Sequence, residues 1–136
     1  MSKYGSKKVV IDGIKFASKI EGQYYLHLKQ LQDEMKILSY MIQPVYELQP
    51  KFEKNGKKYH AIKYIADFEV VHLDGSVEVI DIKGMLLEAF KIKQKLFEYR
   101  YPDYTIKCLT FTKTFGWETL EEASKRRKEA KKCLKG

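Results

Sequence analysis

The chain has 136 residues, a length suited to one domain around one core. Hydrophobic residues at 44% and charged residues at 32% exclude intrinsic disorder except at the ends. Twenty-six Lys and Arg against eighteen Asp and Glu leave a net charge of +8, and the pI near 9.3 is the footprint of a protein that meets a polyanion, nucleic acid first and an acidic membrane surface second.

No apolar run approaches a membrane helix, and the basic start Met1–Lys8 is followed by Val-Val-Ile and Asp12-Gly13 rather than a signal-peptide stretch, so the expectation is a cytosolic chain that is not membrane-bound. Cys108 and Cys133 lie far apart with no CxxC, which points to a reducing compartment and no zinc site. His27, His60 and His72 show no metal-ligand spacing and read as surface or packing residues.

Val9 and Ile11 alternate up to Asp12-Gly13, and Ile14 and Phe16 alternate after it, the pattern of a small hairpin. From Ser18 onward Tyr24, Leu28, Leu31, Met35 and Leu38 recur at steps of three and four, which predicts a long helix closed by Gln43-Pro44. Two β-rich runs, Val45 to about Phe52 and about Tyr59 to His72, flank the turn dipeptide Asn55-Gly56. After the reversal at Asp74-Gly75, a third strand spans Val77 to Lys83 and completes an antiparallel meander. A second helix is expected from about Met85 to Arg100, with Met85, Ala89, Ile92, Leu96 and Tyr99 on its core stripe. A last strand, Tyr104 to Phe111, should lie parallel to the third through a right-handed crossover. From Glu118 the chain reads as a charged, solvated helix whose end, Lys125 to Lys135, holds seven basic residues against Glu129 alone. The fold class is therefore α/β with a mixed sheet flanked by helices, divided into one domain over 1–117 and a basic helical tail over 118–136.

One group of charges sits where charge is costly. Side chains alternate along a strand, so Asp81 and Lys83 share one face about 7 Å apart, and Asp67 interrupts the otherwise apolar run Ile62 to Val70. A two-residue turn at Asp74-Gly75 would set Asp67 opposite Ile82, on the wrong face. A three-residue loop, Leu73-Asp74-Gly75, with Gly75 left-handed as a bulge glycine, sets Asp67 opposite Asp81 instead. Two carboxylates about 5 Å apart repel unless a cation sits between them, and hard oxygen ligands suit Mg²⁺ or Mn²⁺. Counting back from Leu28 through Tyr24 brings Glu21 to the inward helix face as a third acid. Ser18 three residues earlier also makes a capping box with it, and both roles are compatible. The alternative for Asp81 with Lys83 is a same-face strand ion pair of little value.

Glu21 on a first helix, Asp67 on a strand and Asp81-Ile82-Lys83 followed by Gly84 on the next resemble the PD-(D/E)XK nuclease superfamily, whose core is αβββαβ. More narrowly, Lys3-Tyr4-Gly5, Asp12 to Phe16, Ser18 to Glu21, Tyr64 to Phe68 and Asp81 to Gly84 look like a small phage-associated, Holliday-junction-resolvase-like branch of it. The likeness runs from about Lys3 to Pro102. Ala66 stands where the motif's proline would be, a departure common in the superfamily. The resemblance implies a restriction-endonuclease-like fold and Mg²⁺ or Mn²⁺ held by Asp67, Asp81 and the Ile82 carbonyl. Glu21 would act on the ion directly or through water. Lys83 would orient the attacking water or neutralise the transition-state phosphate.

Lys93 falls on a stripe with Leu86, Phe90 and Phe97, and either reaches toward the site or snorkels past its apolar neighbours to water. Lys3, Lys7, Lys8, Lys15 and Lys19 near the front, and the tail with Lys125, Arg126 and Arg127, are candidates to track phosphates, or, in the tail, simply keep the chain soluble. The ten tyrosines lie mostly at core spacing and do not read as base-stacking platforms. The expected function is a divalent-metal-dependent DNA endonuclease acting on branched DNA, such as a four-way junction, in phage recombination or replication, and paired cuts would favour a homodimer. The alternative is a basic nucleic-acid-binding protein without catalysis.

Overall fold

Asp12 and Gly13 both take positive φ, 53° and 76°, and close the hairpin of β1 (Val9–Ile11) and β2 (Ile14–Phe16). The computed structural model describes residues 7–135 of the chain, so the expectations placed on Lys3, Tyr4 and Gly5 lie outside the described residues. The hairpin packs on α1 (Lys19–Asp33) at Gly22, where a β-carbon would stand 2.8 Å from Ile11 Cδ1 and 2.9 Å from Val9 Cγ2.

Helix α1 ends at Asp33, five residues before Leu38, the last residue of its apolar stripe. Lys36 N–H donates to the Leu31 carbonyl at 2.8 Å and Met35 N–H to the Gln32 carbonyl at 3.0 Å, a Schellman closure in which Met35 takes the left-handed position at φ 59°. Met35 and Leu38 are therefore exposed rather than core residues, and Ile37–Ile42 forms β3 where a helix was expected. The helical spacing was fortuitous, because a strand of alternating Ile, Leu, Tyr and Met satisfies the same steps.

At Gln43-Pro44 the chain leaves the sheet. It runs out through β4 (Val45–Gln49) and β5 (Phe52–Lys54), turns at Asn55-Gly56, and returns through β6 (Lys57–Tyr59) and β7 (Ile62–Ile65). β4 pairs only with β7 and β5 only with β6. After Ala66 and Asp67 it re-enters as β8 (Phe68–His72), followed by β9 (Val77–Ile82), α2 (Glu88–Arg100) and β10 (Tyr104–Thr112). The chain finishes with β11 (Gly116–Thr119) and α3 (Leu120–Lys135). The central sheet has the order β11-β10-β9-β8-β3, with β10 parallel to β9 and every other pair antiparallel. Counted on this sheet, the elements from α1 to β10 run αβββαβ. The expected boundary at 117/118 falls inside β11, a strand the charge pattern concealed, and Ala123 buries the start of α3 against the domain.

Both faces of the sheet are covered, which makes the architecture α/β with a mixed sheet flanked by helices. On one face Phe16, Tyr24, Tyr25 and Leu28 pack on Ile37, Phe68, Val70, Ile80 and Leu109. On the other, Phe90 and Phe97 of α2 pack on Tyr46, Leu48, Tyr64, Ala66, Val79 and Ile106. The stripe expected for α2 is thus the wrong one: Ile92, Leu96 and Tyr99 are exposed, and Met85 to Leu87 precede the helix. Among the described residues, no helix is long and apolar enough to cross a membrane.

Glycine is free of the steric cost that Met35 bears at positive φ, and the exposed side chain packs on little. Met35→Gly should therefore raise unfolding stability by about 0.5–1 kcal/mol in urea titrations. In the same assay Phe97→Ala, which empties a fully buried site, should cost about 3–5 kcal/mol, whereas Ile92→Ala should change stability by less than about 0.5 kcal/mol.

Candidate active site

The turn between β8 and β9 decides which residues can meet. His72 N–H donates to the Ser76 carbonyl at 2.9 Å, leaving Leu73, Asp74 and Gly75 as a three-residue loop in which Gly75 sits at φ 89°. Val71 then faces Val77 and Phe68 faces Ile80, so the next step of the register sets Asp67 opposite Asp81, as the odd loop requires. Asp67 is not mid-strand, however. It occupies the break between β7 and β8, where Gln43 N–H donates to its carbonyl at 2.9 Å and Ala66 N–H donates to the Pro44 carbonyl at 3.1 Å.

The two carboxylates each reach across the strands to a backbone N–H. Asp67 Oδ2 accepts the Ile82 N–H at 2.7 Å, and Asp81 Oδ1 accepts the Asp67 N–H at 3.3 Å. Asp81 Oδ2 accepts the hydroxyl of Tyr64. This tyrosine was not singled out by sequence, because its strand spacing read as core; it is indeed buried, and its hydroxyl reaches β9 from within that core. Burial, then the neighbouring Glu21 carboxyl, push Asp67 up to about 8 against the partial offset of the Ile82 N–H and the Lys83 charge. Burial likewise raises Asp81 to about 6.

Glu21 arrives from α1, where Ser18 Oγ accepts its N–H at 3.2 Å and donates to its Oε2 at 3.0 Å. The cap and the approach to Asp67 thus coexist, and the capping serine fixes where this carboxylate stands. Lys83 leaves the end of β9 with its ammonium 4.3 Å from the centre of the Phe90 ring, and its charge lowers both Asp67 and Asp81. Cys108 lies opposite Asp81 in the β9–β10 register, and burial followed by the Asp81 charge raises its thiol to about 11, so it stays protonated.

Beside these groups opens a cleft of about 550 Å³ between the start of α1 and the carboxyl ends of the parallel strands β9 and β10, lined by Lys7, Ser18, Lys19, Ile82, Lys83 and Phe111, among others. Crevices at such strand ends are where α/β folds receive ligands. Lys7 and Lys19 therefore stand with Lys83, while Lys8 and Lys15 are exposed outside the cleft wall. Lys93 is exposed on α2 and does not line the cleft. Lys125 and Arg127 are exposed on α3, but Arg126 is committed elsewhere: it pairs with Glu118 at 2.8 Å and stacks 3.6 Å over Phe115.

Among the described residues, no group of three or more His, Cys, Asp or Glu side chains is drawn together as a ready-made metal site. The donor chemistry nevertheless fits a hard divalent ion. Asp67 and Asp81 offer carboxylate oxygens side by side, three of which already accept hydrogen bonds that fix their aim. Their raised pKa values record burial first, and for Asp67 the neighbouring Glu21 carboxyl next, which the Lys83 charge offsets only in part.

Residues 1–113 match the family described as a protein of unknown function, DUF1064. The chain belongs to this family. The matched stretch covers the acids and the cleft lining, from Lys7 to Phe111, and stops short of β11 and of α3 with its Lys125, Arg126 and Arg127. No curated protein matches the chain.

Asp67 titrates higher in the folded chain, about 8, than at its ordinary 3.8. Between those values the folded state holds a proton that the unfolded state has released, so stability falls as pH rises through the window. Melting temperature followed from pH 4 to 8 should decline more in the wild type than in Asp67→Asn, which cannot ionise. Parallel curves would contradict the assignment.

Proposed function

We propose that this chain is a divalent-metal-dependent DNA endonuclease of the PD-(D/E)XK kind, hydrolysing phosphodiester bonds in branched DNA such as four-way junctions. The observation that carries the reading is the pairing of Asp67 at the β7–β8 break with Asp81 near the end of β9, an acid pair whose charge Glu21 of α1 and Lys83 both influence, beside a cleft lined by Lys7, Lys19 and Lys83. The αβββαβ order of the sheet elements supports it. The choice of branched DNA, a phage role in the bacterial cytoplasm and a homodimer making paired cuts come only from the resemblance of Lys3-Tyr4-Gly5, Asp12 to Phe16, Ser18 to Glu21, Tyr64 to Phe68 and Asp81 to Gly84 to the resolvase-like branch.

Asp67 and Asp81 would hold Mg²⁺ or Mn²⁺, with Glu21 and the Ile82 carbonyl completing the set. Such an ion, when bound, supplies positive charge against the negative charge that builds on the phosphoryl and leaving oxygens. The chain's own groups do the rest. Tyr64 and the Asp67 N–H aim the two oxygens of Asp81, so Tyr64 is a positioning residue. The Lys83 ammonium, on a flexible stem steadied by the Phe90 ring, orients the attacking water or meets a phosphate oxygen. Lys7 and Lys19 hold flanking phosphates, which makes affinity fall with added salt.

Purified protein with Mg²⁺ or Mn²⁺ should cut labelled four-way junctions in preference to linear and flap DNAs. Asp81→Ala and Lys83→Ala should each lower cleavage by about 10²–10⁴-fold while DNA binding persists. Equal cutting by wild type and Asp81→Ala would overturn the enzyme reading, and binding with no cutting of any DNA would leave the non-catalytic alternative.

A further inference from the structure

The hairpin that leaves the sheet at Pro44 ends in a ribbon that packs on nothing. Every residue from 51 to 60 is exposed, and β5 and β6 pair only with each other. Phe52 lies directly opposite Tyr59, and Lys54 directly opposite Lys57. Alternation puts all four on one face of the ribbon. The other face carries Glu53 opposite Lys58, an attractive pair.

The two faces are thus built differently. On the first, the Phe52 and Tyr59 rings stack with centres 4.6 Å apart and planes at 7°, and Lys57 Nζ stands 5.1 Å from the Tyr59 ring centre. Two ammonium groups opposed across a strand pair destabilise it, and the rings keep much of their apolar surface in water. Residues 51–63 hold five lysines against Glu53 alone. Flat apolar surface beside concentrated positive charge is the chemistry that accepts an unstacked base and the phosphates on either side of it.

We propose that the β5–β6 ribbon is a second nucleic-acid contact, taking an unstacked base against the Phe52–Tyr59 pair and its flanking phosphates on Lys54 and Lys57. The inference deepens the nuclease reading, since it names a single-stranded or opened segment as part of the substrate. The reach is sufficient. Tyr59 and Asp67 are eight residues apart, at most about 26 Å of extended chain, less than the roughly 34 Å of one duplex turn. Ribbon and cleft can therefore touch one DNA molecule. The stem between them is firm, because Tyr46, Leu48 and Tyr64 are buried against Phe90 and Phe97.

The test is fluorescence anisotropy with the full chain in EDTA, using a single-stranded oligothymidylate, a blunt duplex and a four-way junction. Lys54→Glu/Lys57→Glu should weaken single-strand and junction binding at least tenfold and reduce the slope of log affinity against log salt by about 1.4–1.8. Phe52→Leu/Tyr59→Leu keeps apolar bulk on the hairpin but removes the rings. It should weaken the same two DNAs by about tenfold, leaving the salt slope and blunt-duplex binding unchanged, with circular dichroism confirming the wild-type melt. Wild-type affinity and slope in both variants would overturn the proposal, as would equal losses from the leucine pair on all three DNAs. Ribbon-dependent binding with no cutting in Mg²⁺ would sink the nuclease reading alone. Cutting that ignores all four substitutions, with unchanged binding, would sink the ribbon contact alone.

Discussion

Gly75 lets three residues rather than two join β8 to β9, and that parity decides whether Asp67 meets Asp81 or turns away from it. Everything at the candidate site follows from this registration. Asp67 can accept the Ile82 N–H only because the strands are aligned so, and Asp81 receives the Asp67 N–H for the same reason. Glu21 and Lys83 then act on a pair already made. A single backbone conformation in an exposed turn thus governs the electrostatics of a half-buried centre several residues away.

The second constraint is that the charged groups sit where the sheet comes apart. Between Ile42 and Phe68 the ladder of β3 and β8 ends, and the chain bends at Gln43-Pro44 on one side and Ala66-Asp67 on the other. Inside a continuous ladder flanked by helices, two acids would face only apolar neighbours. Where the sheet comes apart they gain a backbone donor each and, for Asp81, a tyrosine hydroxyl, next to the cleft that Ile82 and Lys83 line. Their raised pKa values are the residue of burial that these donors offset only in part.

What could be read from the sequence was what turns and alternation encode. Asp12-Gly13, Asn55-Gly56 and Gly75 marked reversals because positive φ leaves a signature in residue type. The alternation of Val77 to Lys83 gave β9, and the site pairing followed from both. The end of α1 left no such signature, since Met35 occupies a left-handed position that glycine usually fills. The strand Ile37–Ile42 then passed for helix. The core face of α2 was misjudged because Ile92, Leu96 and Tyr99 match a helical stripe as well as Phe90 and Phe97 do, and only the aromatic stem of Tyr46 and Tyr64 decides between them. Tyr64 itself escaped notice, because a tyrosine at core spacing gives no sign of where its hydroxyl donates. Tyr59 shows the opposite failure: tyrosines were read as core at strand spacing, and this one is exposed.

Because the sheet closes across Gln43 and Asp67, the whole excursion from Pro44 to Ala66 is, topologically, an insertion between two adjacent strands. Its outer half contributes nothing to the central sheet. A lineage could lengthen, shorten or recolour that appendage without disturbing the acids at its root, so the ribbon and the acid pair are free to diversify on separate evolutionary clocks.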